Sequence, residues 1–359
     1  MITGDHPATA GRIAADLGIT ERGGRVLSGR ELSVMDDAAL ADAVRDVNVY
    51  ARVAPEHKMR IVGALKAQGH TVAMTGDGVN DAPALRAADI GVAMGITGTQ
   101  VTKEAATMVL ADDNFATIVA AVAEGRRIFD NIKKFLRYLL SSNMGEVLTV
   151  FFGVVLAGVL GLSGHGESGV VLPLVATQIL WINLITDSGP ALAMGVDPSV
   201  EDVMGRPPRQ PTERVIDGAM WRGVIIIGAV MAAVTLATLD IFLPGGLIET
   251  SLSTDDLTTA RTAAFTTLVF AQLFNTVNSR SETVSAFRHL LVNKWLWGAI
   301  ALGVVLQVAV VEVPLLQAAF STASLDAAHW AVSLGMASFV LWADELRKLI
   351  TRALARKRA

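Results

Sequence analysis

From Phe135 onward the chain repeatedly runs apolar for long enough to cross a bilayer, whereas residues 1 to about 124 alternate short apolar runs with stretches of helical periodicity. In this first part Thr71–Met74 leads into TGDG, Ile90–Met94 into GITG and Thr107–Leu110 into ADDN, each followed by helical sequence. Such a rhythm predicts an α/β domain of parallel strands, whose polar and glycine residues gather at the strands' carboxyl ends. The remainder predicts an all-α bundle of six transmembrane helices, at about 135–161, 171–195, 220–243, 262–278, 295–313 and 330–346. Two domains are therefore expected, 1–124 and 125–359, the second opening with a long helix. Roughly 40 residues beginning at Glu124 read as nearly continuous helix and would extend about 60 Å. Gly125 and Gly145 weaken that helix without necessarily breaking it.

Charge orients the pattern. The segments 162–170, 244–260 and 314–329 contain neither Lys nor Arg, while the alternate ones carry Arg206, Arg209 and Arg214, then Arg280, Arg288 and Lys294. The tail adds Arg347, Lys348, Arg352, Arg356, Lys357 and Arg358. By the positive-inside rule the α/β domain, the basic loops and the C-terminus are cytoplasmic, which requires an even number of spans in a multi-pass protein of the cell membrane. Trp221, Trp295, Trp297 and Trp330 lie near predicted span ends, as an aromatic belt would.

Composition agrees, with 52% hydrophobic and only 18% charged residues. A net charge of -4 gives no reason to expect a nucleic acid partner, and the absence of cysteine removes disulfides and thiol catalysis. Residues 1–15 lack a basic start and an apolar core, so no signal peptide is expected.

The densest chemistry is MTGDGVNDAP, residues 74–83. Asp77 follows a strand, Gly76 and Gly78 let the backbone turn closely, and Asn80 and Asp81 open the next helix, with Pro83 in its first turn. A carboxylate there suits magnesium through hard oxygen ligation, while an amide and backbone N–H groups suit phosphate oxygens.

This string resembles the hinge and magnesium motif of P-type cation-transporting ATPases, in a phosphorylation domain of haloacid-dehalogenase fold. ITGDHPATA near the start resembles the family's TGD motif, and ARVAPEHKMRIV its segment with a phosphate-contacting lysine. The resemblance implies that Asp77 binds Mg2+, Thr3 and Asn80 contact the phosphoryl group, Gly4 donates a backbone N–H to it, Lys58 neutralises it, and Asp5 and Asp81 organise the cleft. It also implies ATP as substrate of the complete pump and an aspartyl-phosphate intermediate. The DKTGT string that would carry the nucleophile does not occur in residues 1–359. By this comparison the nucleotide-binding domain, the actuator domain with its TGE loop and the first four membrane helices are also missing, so the isolated chain is expected to be inactive.

In the first predicted span Asn143 and Glu146 share a helical face, and in the second Asn183, Thr186 and Asp187 do. Gly189 and Pro190 are expected to interrupt the helix just beyond. A carboxylate in hydrocarbon costs about 2.5 kcal/mol or more, which marks Glu146 and Asp187 as functional candidates. The all-oxygen set favours calcium over sodium, potassium, manganese or magnesium. SSNMGEV and NLITDSGPALAMGVDP resemble the fifth and sixth helices of sarcoplasmic-reticulum-type calcium pumps, whose matching residues ligate the cation. Gln272 stands where those pumps place a ligating glutamate, which favours one divalent ion over two. The implied function is the C-terminal portion of an ATP-driven cation pump, with the missing N-terminal half and membrane lipid as partners. The alternative is an inactive truncated membrane protein, or a cation-binding partner of a split pump.

Overall fold

The computed structural model describes residues 1–162, 171–199, 202–209, 212–248, 250, 252, 253, 256–288 and 290–356. Most of the predicted loop at 162–170, parts of the one at 244–260, and Lys357 and Arg358 of the tail lie outside the described residues. The chain divides into two compact units, Met1–Val122 and Ala123–Ala359.

In the first unit, β1 (Ile2–Thr3), β2 (Val26–Ser28) and β3 (Val49–Ala51) form a parallel sheet in the order β1-β3-β2. A second parallel sheet holds β4 (Ala73–Gly76), β5 (Ile90–Met94) and β6 (Met108–Leu110) in the order β4-β5-β6. The parallel strands follow the sequence rhythm, but they make two sheets. β1 and β4 are both edge strands with no ladder between them, although Ile2 of β1 packs against Met74 and Leu85.

Helices α1 (Pro7–Asp16), α2 (Gly29–Val34), α3 (Asp37–Asp46), α4 (Pro55–Ala67), α5 (Ala82–Ala87) and α6 (Gln100–Ala105) connect the strands. Their starts are written locally: Pro7 and Pro55 occupy first positions, Ser28 and Glu31 form a reciprocal capping box, and the Asp36 carboxylate accepts from Ala39 N at 2.7 Å. Leu27, Leu32, Leu40, Tyr50 and Ile61 fill the core beneath the first sheet.

Past the second sheet one carboxylate holds a loop in place. Asp113, itself at φ +50°, accepts from the backbone N–H groups of Gly95 (2.6 Å), Ile96 (3.0 Å) and Thr97 (2.8 Å), and from the Thr97 hydroxyl at 2.8 Å. These donors, the Ile96 amide foremost, lower its pKa from 3.8 to about 2.

The second unit is helical. α7 (Phe115–Val155) carries the chain out of the first unit as one helix of 41 residues, passing Gly125 and Gly145 without a break. α8 (Ala176–Trp181), a π turn (Ile182–Thr186) and α9 (Ser188–Gly195) follow, then α10 (Gly218–Phe242), α11 (Leu257–Asn278), α12 (Lys294–Glu312), α13 (Pro314–Phe320) and α14 (Ala327–Arg356). Three helices, α7, α10 and α12, are long and apolar enough to cross a membrane among the described residues. α11 falls short because it is lined with Thr, Gln and Asn. It is nonetheless buried along nearly its whole length, packed against α10 and α14. Its polar groups point at other helices: Thr267 donates to Thr238 at 3.2 Å, Gln307 donates to Thr266 at 3.1 Å, and Asn278 donates to the Val340 carbonyl at 3.0 Å. α7 and α10 approach closely because both contacts are glycine: a Cβ on Gly145 would sit 2.9 Å from Met231, and one on Gly228 2.6 Å from Met144.

The Asp113 knot has a pH signature. Its folded pKa lies below its unfolded value, so its stabilisation is complete above about pH 4 and is lost as pH falls toward 2. Asp113→Asn should therefore be less stable than the parent at pH 7, and the difference in chemical denaturation should close between about pH 4 and 2. A gap independent of pH over that window would contradict the assignment.

Candidate functional site

The residues singled out in the sequence fall into two groups, one in each unit. In the first unit the turn after β4 is fixed by Asp81, which is buried and accepts from Asp77 N at 3.3 Å and Gly78 N at 3.2 Å. Asn80 and Asp81 lie in a short 3-10 turn, Val79–Asp81, and α5 begins only at Ala82. Gly76 is required here, since a Cβ would come within 2.4 Å of the Asp81 Cβ. The half-buried Lys58 of α4 forms a short ion pair with Asp81 Oδ1, which joins the loops following β3 and β4.

At β1, the Thr3 hydroxyl donates to the Asp5 carboxylate at 2.9 Å and accepts from Asp5 N at 3.1 Å. Gly4 and Asp5 are exposed. The Asp77 side chain is exposed and makes no hydrogen bond among the described residues, whereas its carbonyl accepts from Thr99 N at 3.0 Å and the Thr102 hydroxyl at 3.2 Å. An unpaired, solvated carboxylate beside a glycine turn fits a hydrated Mg2+, which keeps several waters and takes one or two protein carboxylates. The loop that holds the Asp77 carbonyl is the one Asp113 anchors two residues earlier, a link the sequence reading missed.

In the second unit Glu146 of α7 is 4% exposed, and both of its oxygens are engaged. Oε2 accepts from the Asn183 amide at 2.6 Å and Oε1 from the Gln272 amide at 2.9 Å. Asp187 is 2% exposed; its Oδ1 accepts from the Tyr138 hydroxyl at 2.6 Å, while Oδ2 has no partner among the described residues. Gln272 Oε1 is likewise buried and unpartnered. Thr186 is buried and donates to the Ile182 carbonyl at 3.0 Å. Asn143 is exposed and lies apart from these contacts. Thus α7, the π turn and α11 meet through Glu146, Asn183 and Gln272, and Tyr138 ties α7 to Asp187. Among the described residues no three Asp, Glu, His or Cys side chains gather into a metal cluster, so amide and hydroxyl oxygens would have to complete any cation site.

The expected interruption lies one turn earlier than Gly189–Pro190. Asp187 N donates to the Ile182 carbonyl at 3.0 Å, an i to i+5 bond that gives a π turn over Ile182–Thr186 before α9 resumes. Pro190, lacking an N–H, cannot bond back to Thr186, so the Thr186 carbonyl beside Asp187 loses its usual helical donor.

The sequence reading also overlooked Tyr138 and a buried ionic knot around Asp197. Asp197 is 0% exposed and receives Lys134 Nζ at 2.6 Å, Arg280 Nε at 3.1 Å and the Asn293 amide at 2.8 Å. Asn131 binds its carbonyl at 2.9 Å. The available signal was periodicity. Lys134, Tyr138, Ser142, Glu146, Thr149 and Gly153 follow one another at three- and four-residue steps along the buried stripe of α7.

A parallel α/β unit followed in the chain by an apolar helical unit can be compared, part by part, with known proteins. The haloacid dehalogenase-like hydrolase family matches residues 1–89, and a second family of that description matches 60–122. The family described as the C-terminus of cation transporting ATPases matches residues 171–350. The chain belongs to the P-type cation-transporting ATPases and corresponds to their C-terminal part. It is 44% identical over 338 residues to a calcium-transporting ATPase of Bacillus subtilis, covering 94% of this chain and 36% of that protein. It is 43% identical over 365 residues to calcium-transporting ATPase 1 of Bacillus cereus, with 97% and 39% covered. Calcium-transporting ATPase 1 of Schizosaccharomyces pombe is 40% identical over 362 residues, with 98% and 38% covered. The chain thus spans little more than a third of the length of these curated relatives.

The knot around Asp197 makes a stability prediction. Asp197→Ala removes the carboxylate that two almost fully buried cations share, and should cost about 3–5 kcal/mol. Thermal unfolding of the purified chain in detergent, compared with the exposed control Asp202→Ala, checks this. Equal midpoints for the two variants would remove Asp197 from its structural role.

Proposed function

We propose that the chain is the C-terminal portion of an ATP-driven pump that carries one divalent cation per cycle, calcium first among the candidates. The observation that carries the proposal is the pairing of two buried carboxylates in unlike states: Glu146 has both oxygens bound by amides, and Asp187 keeps one oxygen open beside a broken helix. Cation binding would recruit Asp187 Oδ2, the Gln272 carbonyl oxygen and the Thr186 carbonyl that Pro190 leaves without a helical donor, with Glu146, Asn143, Asn183 and the Thr186 hydroxyl as further ligands. An amide at position 272 leaves two carboxylates, enough to neutralise one divalent ion. Relatives named calcium-transporting ATPases support the choice of ion.

In this reading Asp77 holds the Mg2+ that accompanies ATP. Thr3, Gly4 and Asn80 contact the phosphoryl group, and Lys58, with Asp5 and Asp81, organises the cleft. The nucleophilic aspartate, the nucleotide-binding and actuator domains and the first four membrane helices belong to chain outside these residues. Two edge strands, β1 and β4, each ending in candidate phosphate-site residues, support a place between them for the strand that bears the nucleophile. Six membrane helices, a division near residue 124 and a cytoplasmic placement of both the first unit and the C-terminus complete the proposal. α7 is then the covalent link between phosphoryl chemistry and ion site.

Three experiments test this. The chain alone, given labelled ATP and Mg2+ and then acid-quenched, should retain no label; an acid-stable band would mean that it carries its own nucleophile. In the complete pump, Asp187→Asn should abolish calcium-dependent ATP hydrolysis, and retention of that activity would remove Asp187 from the ion site. Vesicle uptake compared across calcium, manganese and magnesium decides the ion.

A further inference from the structure

α14 outlasts the span expected within it, and its last turns, from Leu346 to Arg356, carry two patterns at once. Trp342, Leu346, Leu349, Ile350 and Leu354 recur at three- and four-residue steps and are each more than half exposed, while Val340, Asp344 and Lys348 on the opposite face are buried. Basic residues flank that apolar stripe. We propose that this end of α14 binds anionic phospholipid of the cytoplasmic leaflet, Arg352 and Arg356 holding headgroup phosphates while the stripe lies against acyl chains.

The positive charge here is unmatched. Residues 346–359 contain no Asp or Glu, yet hold Arg347, Lys348, Arg352, Arg356, Lys357 and Arg358. Arg347 pairs with Asp344 at 2.7 Å, and Lys348 with Asp344 at 2.9 Å and Glu345 at 3.8 Å, so two cations answer two carboxylates. Arg352 Nε donates to the uncharged Lys348 carbonyl at 3.2 Å, and Arg356 is exposed. Neither has a carboxylate partner among the described residues. A phosphodiester brings one negative charge and oxygens that accept from a guanidinium two at a time.

Depth selects lipid over a protein partner. Counted from Trp330 at the other end of the span, a hydrocarbon core of about 30 Å takes about 20 residues of helix and ends near Ile350. Arg352 and Arg356 then stand about 3 and 9 Å past that level, within side-chain reach of the headgroups. The apolar stripe is continuous with Trp342 inside the span, so the face that meets lipid there meets it here as well. Basic clusters just cytoplasmic of a membrane helix are drawn to anionic leaflets. The inference rests on the membrane placement of α14 proposed above and not on transport.

The chain has no cysteine, so a single-cysteine variant carries one fluorophore. The full chain with Leu354→Cys, or with Leu346→Cys at the end of the span, is placed in nanodiscs of equal phosphatidylglycerol and phosphatidylcholine. A nitroxide near the head of the acyl chain is carried by one lipid or the other. The Leu346→Cys label should be quenched by both, which reports that α14 lies in the bilayer. The Leu354→Cys label should be quenched more by phosphatidylglycerol. Adding Arg352→Gln or Arg356→Gln should lower the relative association constant of phosphatidylglycerol roughly fivefold in each case, whereas Arg352→Lys and Arg356→Lys should keep it. Equal quenching by the two lipids at Leu354→Cys, or a preference unchanged by both glutamine substitutions, overturns the proposal and leaves the membrane placement intact. Quenching by neither lipid at Leu354→Cys, with Leu346→Cys still quenched, means that the face docks on protein, and the lipid assignment fails. A Leu346→Cys label that neither lipid quenches would remove the membrane placement and the proposal together.

Discussion

The carboxylate of Asp197 sits without solvent exposure just past the end of α9 and binds a lysine of α7, an arginine beyond α11 and the asparagine that caps α12. Four separate stretches of chain depend on one group. A buried charge needs such donors around it, and it in turn offsets the charge of the cations it holds. The interaction therefore fixes relative position more than it adds net stability. Asn131 and Asn293 extend the same arrangement to the carbonyls of Gly195, Asp197 and Ala193, which anchors the C-terminal end of α9 against α7.

With that end fixed, the polar interior of the bundle has defined neighbours. α11 carries its hydroxyls and amides inward because α10, α12 and α14 supply partners at each level, and Asn275 reaches Ser141 of α7 at 2.7 Å. A helix that scores as too polar for a membrane is thereby placed where few of its polar atoms meet lipid. Glu146 benefits directly, since Gln272 approaches it from α11 and Asn183 from the π turn.

Much of the first unit was legible because its signals are local. Glycines, capping residues and short apolar runs located β5 at Ile90–Met94, and the ends of β4 and β6 within two residues. The division into two sheets was not legible, because whether β1 and β4 find a common neighbour depends on pairing across the whole unit. In the second unit, apolar length located α10 and α12 within two residues, but polar α11 needs its neighbours before its burial makes sense. Glu146, Asp187 and Gln272 stood out as polar residues in apolar surroundings. Asp197, Lys134 and Tyr138 did not, because each has an ordinary local reading and acquires its partner only from distant sequence. Asn143 shares a helical face with Glu146 in sequence, yet it is exposed while Glu146 is buried.

The π turn at Ile182–Thr186 holds one residue more than an α turn, and so acts as a phase shifter within its helix. Every side chain beyond it is rotated by about 100° from where an unbroken α-helix would aim it. The direction in which Asp187 presents its open oxygen is consequently a matter of counting along the backbone as well as of side-chain contact. Moving the extra residue one turn along, without breaking a covalent bond or displacing the anchored end of α9, would swing that carboxylate from one neighbour toward another. A helix built this way can rotate a segment in place while the end of α9 remains held.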